Sequence, residues 1–219
     1  MDIDILRQIS AVARTVSRRE RDGRPVRVVA AARSYPTTVD DLWDTLTSAE
    51  RIPRWFLPIS GDLRQGGRYQ LEGNAGGEIT RCDPPRSLSV TWEYGGEVSW
   101  LEVRLSEDGA DATRLELEHF APVDDERWKE FGPGAVGVGW DLALLGLHLY
   151  VTTTEPVDRQ AVAGWMEEDG GKDFVRRSST SWGDASAVAG MDREAARAAA
   201  ARTTAAYTGE DGATTGSGA

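Results

Sequence analysis

Two histidines and one cysteine are the scarce reactive residues in a chain of 219. His119 ends the alternating run Leu115, Leu117, His119, whose other members, Arg114, Glu116 and Glu118, are charged. A strand there turns the imidazole toward the interior, where a polar ring needs a partner. It then acts either as a general acid/base or orienting donor in a cavity, or as a core histidine satisfied by a carbonyl or an acid. His148 follows Leu144 by one helical turn, and a surface or sheet-facing role suits it better than catalysis. His119 and His148 with Asp141 or Glu102 match no metal-ligand spacing, so no metal is expected. Cys82 stands before Asp83-Pro84 without a catalytic motif and reads as structural. Ser178-Ser179-Thr180-Ser181 lacks a G-x-S-x-G elbow, and Gly73 to Gly77 lacks the G-x-G-x-x-G context of a phosphate loop. No cofactor is implied.

Composition narrows the class further. Lys and Arg number 25 against 36 Asp and Glu, a formal charge of −11, which argues against a nucleic-acid partner. The length suits one domain with an extension. The acidic start Met1-Asp2-Ile3-Asp4 does not read as a signal peptide. The most apolar window, Ala135 to Val151, is interrupted by Gly137, Gly139, Trp140, Asp141, Gly146 and His148 and reads as a buried helix, with no membrane insertion expected. A cytoplasmic location follows as the expectation. Eight tryptophans are a high load. Trp43 reads as core, whereas Trp55, Trp92 and Trp140 suit a cavity wall or plain core equally.

The elements that must position these residues show in the periodicity. Residues 1–24 are ambiguous: Ile5, Ile9, Val12 and Val16 have helical spacing, yet Ala11 to Arg19 suits a strand turning at Asp22-Gly23. Val26 to Ala31 reads as a strand. Thr38-Val39-Asp40-Asp41 is a capping box, with Val39, Leu42, Trp43 and Leu46 on one helical face. A second box, Thr47-Ser48-Ala49-Glu50, predicts another helix that Pro53 cuts short. From Gly66 the period becomes two. Tyr69 and Leu71, then Glu78 to Cys82, then Leu88, Val90, Trp92 and Tyr94, then Leu101, Val103 and Leu105, then Leu115 to His119, form an antiparallel meander with Gly-rich turns. Gly132 to Val151 predicts one long helix. Its glycines at 132, 134, 137, 139 and 146 suit either a mobile gate or close packing. Three more helices are predicted near 157–167, 172–188 and 192–207, followed by a disordered tail at 209–219.

Strand, two short helices, meander and long helix form an α+β helix-grip order. The segments Val39-Asp40-Asp41-Leu42-Trp43, Ile52-Pro53-Arg54-Trp55-Phe56, Gly66-Gly67-Arg68-Tyr69 and Pro84-Pro85-Arg86-Ser87-Leu88, with Thr91-Trp92, carry a family resemblance. Across residues 26–151 the chain resembles the START-like SRPBCC superfamily, in the branch named for the activator of the 90-kDa heat-shock-protein ATPase. Phe131 to Trp140 looks like a bacterial subgroup that also carries the helical extension. The resemblance implies a curved antiparallel sheet around a long helix, with an apolar cavity between them that takes lipids, sterols, polyketides or hormones in other members. It implies a ligand site formed by Trp55, Phe56, Tyr69, Trp92, Leu101, Leu117, His119, Trp140 and Leu144. The expected organisation is an N-terminal helix or hairpin arm (1–25), the helix-grip domain (26–152), the helical extension (153–208) and the tail. The favoured function is non-enzymatic binding of a small apolar or amphipathic molecule, or an accessory role with a protein partner. The alternatives are a polyketide cyclase or aromatase using His119 with Glu102 or Glu78, and a homodimer formed through the extension, which would otherwise cap the cavity.

Overall fold

In the computed structural model, which describes residues 3–209, Asp22 and Gly23 both take positive φ (52° and 72°). Two such residues make the tight turn whose twist matches a right-twisted hairpin. That turn resolves the ambiguous N-terminus into both of its readings. Helix α1 (Ile5–Ser10) is capped by Asp4, and strand β1 (Ala13–Arg21) follows it. Strand β1 pairs antiparallel with β2 (Arg24–Tyr35) along its whole length, so this hairpin is the edge of the main sheet.

Thr38 caps α2 (Val39–Thr47) by accepting from the Asp41 amide. The second capping box does not start an α-helix. Ser48 takes an extended conformation and closes α2, and only a 3₁₀ turn, Ile52–Arg54, follows. Pro53 lies in that turn, where its missing N–H costs nothing. Then come β3 (Ile59–Gly61), β4 (Arg68–Leu71), β5 (Gly76–Asp83), β6 (Ser87–Tyr94), β7 (Glu97–Glu107) and β8 (Thr113–Pro122). All pairings are antiparallel, in the order β1-β2-β8-β7-β6-β5-β4-β3. Gly76 and Gly77 belong to β5 and not to the turn before it. A Cβ on Gly77 would stand 2.1 Å from the Thr91 carbonyl oxygen, so only glycine lets β6 approach there.

The predicted long helix forms over Gly134–Thr153, and a short helix not predicted precedes it. Asp124 caps α3 (Asp125–Phe131), and Gly132 at φ 61° with Pro133 breaks the chain before α4 (Gly134–Thr153). The extension forms α5 (Arg159–Glu167), α6 (Asp169–Val188) and α7 (Arg193–Thr208), close to the predicted ranges. The predicted tail lies outside the described residues from 210 onward. The whole is an α+β helix-grip fold: one curved sheet holds α4 on its concave face, and α5 to α7 cover the back of α4.

Packing explains the glycines of α4. A Cβ on Gly137 would stand 2.4 Å from the Trp182 ring, and one on Gly146 would stand 2.7 Å from the Trp55 carbonyl oxygen. Trp182 of α6 is fully buried in this notch. Gly137→Ala is therefore expected to destabilise the protein by about 1–3 kcal/mol through overpacking. Combined with Trp182→Phe, which itself costs stability by removing a donor to Asp141, the loss should be less than the sum of the two single losses, because the two sites share one volume. Urea unfolding of the two single variants and the double variant tests this; strict additivity would show that the notch does not set the packing.

Candidate functional site

Between α4, the 3₁₀ segment and the central strands lies a cavity of about 150 Å³. Strand alternation supplies its sheet wall: Val90 and Trp92 from β6, Leu101 and Val103 from β7, Leu115 and Leu117 from β8. Residues Ile79 and Cys82 of β5 are three apart, yet both line it. The ladder shifts register between Ile79 and Arg81, and this bulge returns Cys82 to the inner face. Helix α4 contributes Trp140, Ala143, Leu144 and Leu147, while Trp55 and Phe56 stack at 5.3 Å between ring centroids on the opposite side. Trp43, expected in plain core, also reaches the wall. None of the lining residues comes from α5 to α7, so the extension backs α4 and does not cap the cavity.

Of the nine expected ligand residues, Trp55, Phe56, Tyr69, Trp92, Leu101, Leu117, Trp140 and Leu144 line the cavity. His119 does not. Its ring lies beyond the Trp92–Trp140 pair, 6.2 Å from Trp92 and 5.7 Å from Trp140 between centroids. The Trp140 indole N–H donates to His119 Nδ1 at 3.0 Å. An indole nitrogen only donates, so Nδ1 carries no proton and Nε2 does. His119 Nε2–H then donates to Ser99 Oγ at 2.8 Å, and the Ser99 hydroxyl donates to the Trp92 carbonyl at 3.1 Å. Every member of this relay is satisfied. Burial pushes the imidazole down to about 4, so the ring is neutral at ordinary pH. Sequence reasoning found the inward histidine but missed Ser99, which shares the inner face of β7 with Leu101.

The polar atoms of the wall are likewise turned away. The Tyr69 hydroxyl donates to the Thr91 carbonyl at 2.8 Å, and burial raises its pKa. The Trp55 indole donates to the Thr45 carbonyl at 3.0 Å. Burial and the neighbouring Asp83 raise the Cys82 thiol, which disfavours the reactive thiolate. Glu78 and Glu102 do not line the cavity. Glu102 instead pairs with Arg21 and Arg104. His148 and Asp141 also lie outside the lining, on the other flank of α4. Among the described residues, no three of His, Cys, Asp and Glu converge as a metal site would require.

The family model described as "Activator of Hsp90 ATPase homolog 1-like protein" matches residues 36–152. The chain belongs to this family. Among solved structures the chain is similar to CalU16 from Micromonospora echinospora, 35% identical in its solution structure, with a TM-score of 0.66 over 82% of this chain and 97% of that one. MLL2253 from Mesorhizobium loti is similar at 20% identity and a TM-score of 0.52, covering 58% of this chain and 98% of its own. DynU16, described as a protein in the dynemicin biosynthetic locus, is 23% identical at a TM-score of 0.50, over 59% of this chain and 48% of that one. At these identities the last two show the fold alone. No curated protein matches the chain.

The relay around His119 makes a distinguishing prediction. The folded value of about 4 lies below the ordinary 6.5, so on acidification the unfolded chain takes the proton first. The neutral ring therefore contributes stability above pH 6.5, and this is lost as the pH falls from 6.5 toward 4. The loss amounts to about 3 kcal/mol. His119→Gln keeps one acceptor for Trp140 and one donor for Ser99 without titrating. It should flatten the pH dependence of urea unfolding in that window. His119→Ala, which leaves the indole N–H unpaired, should cost about 2 kcal/mol at neutral pH. An unchanged slope in the Gln variant would remove His119 as the titrating group.

Proposed function

We propose that the protein binds a small, uncharged, apolar molecule, with an aromatic ring as the best-fitting shape, in the cavity between the sheet and α4. One observation carries this reading: the wall is almost wholly aliphatic and aromatic, and the Trp55, Tyr69 and Trp140 donors are hydrogen-bonded away from the enclosed space. A cavity of about 150 Å³ with such walls stays dry and accepts a guest the size of benzene. Larger ligands, including the apolar part of an amphipathic one, need the wall to open, since pockets for drug-sized molecules measure about 300–1,000 Å³. Membership of the helix-grip family supports the same location. The engagement of both His119 nitrogens outside the cavity supports binding over a cyclase-type reaction with His119 as its base.

The test uses benzene and toluene as probes, with ligand-dependent shifts of the unfolding midpoint and of tryptophan emission as readouts. Trp43, Trp55, Trp92 and Trp140 all border the cavity, so a bound ring should alter their fluorescence. Ala143→Leu, which adds side-chain volume to the lumen, should abolish binding while leaving the unfolding midpoint unchanged or raised. Equal binding by the parent and the Ala143→Leu variant, or no binding by either probe, would overturn the proposal.

A further inference from the structure

The extension lines no part of the cavity, yet it touches the cavity wall at one point. Helix α4 is capped by Thr154 at φ 61°, and residues 155–158, without regular structure, lead from there to α5. Within this link the Val157 N–H donates to the Arg54 carbonyl at 2.7 Å. Arg54 closes the 3₁₀ turn. Trp55 and Phe56, the stacked pair of the wall, come directly after it.

That turn is one piece, because the Arg54, Trp55 and Phe56 amides all donate to the carbonyl of Arg51 or Ile52. The Trp55 indole and Arg51 tie it to α2, the helix just before it in sequence. Toward α4 it has the Trp55 carbonyl against Gly146 and a long 3.4 Å bond from Arg51 Nε to the Tyr150 hydroxyl. The Val157 bond is shorter than any of these, and its donor lies beyond the family-matched residues 36–152. What holds Val157 in place is α5. The next residue, Asp158, caps that helix by accepting from the Gln160 and Ala161 amides at 2.9 and 3.2 Å. Trp165 then seats the helix on α4, buried in a cluster with Leu145 and Phe174. A contiguous set of contacts thus runs from the back of α4, through α5 and its cap, to the front wall of the cavity.

We propose that the link between α4 and α5 is a latch on the cavity. The seating of α5 keeps Val157 on Arg54, and Val157 keeps Trp55 and Phe56 closed over the lumen. Whatever lifts α5 from α4 also frees this wall, so the extension regulates ligand entry while contributing no lining residue. The role in ligand entry rests on the binding reading above; the opening itself does not. The competing reading is a hydrogen bond that fixes where the chain enters α5 and has no influence on the wall.

The experiment reads opening without a ligand, through solvent exchange of the Trp55 indole proton followed by NMR on the full chain. That proton is donated to the Thr45 carbonyl at 3.0 Å, and swinging Trp55 out of the wall breaks the bond. The Trp182 indole proton, held by Asp141, is the control for wider unfolding. Val157→Pro deletes the N–H, and an amide-to-ester change at residue 157 deletes it without fixing φ. Both should speed Trp55 exchange about 2- to 10-fold, the range one hydrogen bond supports, and leave Trp182 exchange unchanged. Val157→Ala, which keeps the N–H, should match the parent. Asp158→Ala, which loosens α5 and leaves the Val157 N–H in place, should speed Trp55 exchange by a smaller factor. Unchanged Trp55 exchange in the ester variant would overturn the latch, and parental exchange in Asp158→Ala would overturn its control by α5. Equal acceleration at Trp55 and Trp182 would show general loosening and overturn it too. Toluene binding plays no part in this readout, so the latch and the binding reading fail separately.

Discussion

Helix α4 has no polar face to offer to water, and most of the architecture answers that constraint. Its buried residues fall on every side: Trp140, Leu144 and Leu147 toward the sheet, Gly137, Val138 and Leu145 toward other partners. An amphipathic helix needs one cover, whereas a helix apolar all round needs two. The sheet supplies the first. The second comes from the extension, where Leu145 packs with Trp165 of α5 and Phe174 of α6, and Trp182 fills the notch at Gly137. The family match stops at residue 152, one residue before α4 ends. Without α5 to α7, the matched portion would leave the back of this helix open to solvent. The same composition that makes α4 long and apolar enough to cross a membrane is thus accounted for by burial on two sides.

The one charged residue on α4 sharpens this picture. Asp141 is buried, and desolvation raises its carboxyl against the lowering influence of Arg14, Ser178 and Trp182. Losing one partner of such a group costs more than the pair contributes net, because the remaining charge stays buried. The group is nonetheless well placed to fix register: Arg14 comes from β1, Ser178 and Trp182 from α6, and all three meet on one oxygen. The buried ion pair thereby occupies one flank of α4, and the cavity occupies the other.

Much of this was legible in the sequence because strands and helices report their buried faces through period. The alternation in β6, β7 and β8 named the inward residues, and eight of the nine expected ligand residues reached the cavity wall. Period alone does not say how deep an inward residue lies along its strand. His119 shares the face of Leu117 but sits where Trp140 and Ser99 enclose it. The break at Gly132-Pro133 was visible as residues, yet helix α3 was missed, although Asp124 before Asp125 and Glu126 carries an N-terminal capping signal. Thr47 to Glu50 showed the reverse error. A capping pattern matched, but Ser48 was needed to end α2, and a 3₁₀ turn at Pro53 fitted the short connection. The pairing of Arg33 with Gln8 joins residues in different elements and had no local signature.

The two walls of the cavity differ in what holds them. Helix α4 is pinned from behind by the Arg14–Asp141 pair and the Trp182 notch, and from the sheet by the Tyr35 hydroxyl, which donates to the Leu144 carbonyl at 3.1 Å. Moving it would expose an apolar face and break buried hydrogen bonds. The segment carrying Trp55 and Phe56 is held by the Trp55–Thr45 hydrogen bond and by Arg51, which pairs with Asp41 and Asp44 at the surface. Ion pairs between exposed carboxylates and a partly exposed arginine contribute at most about 1 kcal/mol each. The segment has only one 3₁₀ turn of regular structure, and Trp55 and Phe56 are half-buried. Local opening draws on the regions with the fewest buried contacts. A ligand larger than the closed cavity would therefore be accommodated at least cost by displacing this segment, with the sheet and α4 serving as the fixed frame.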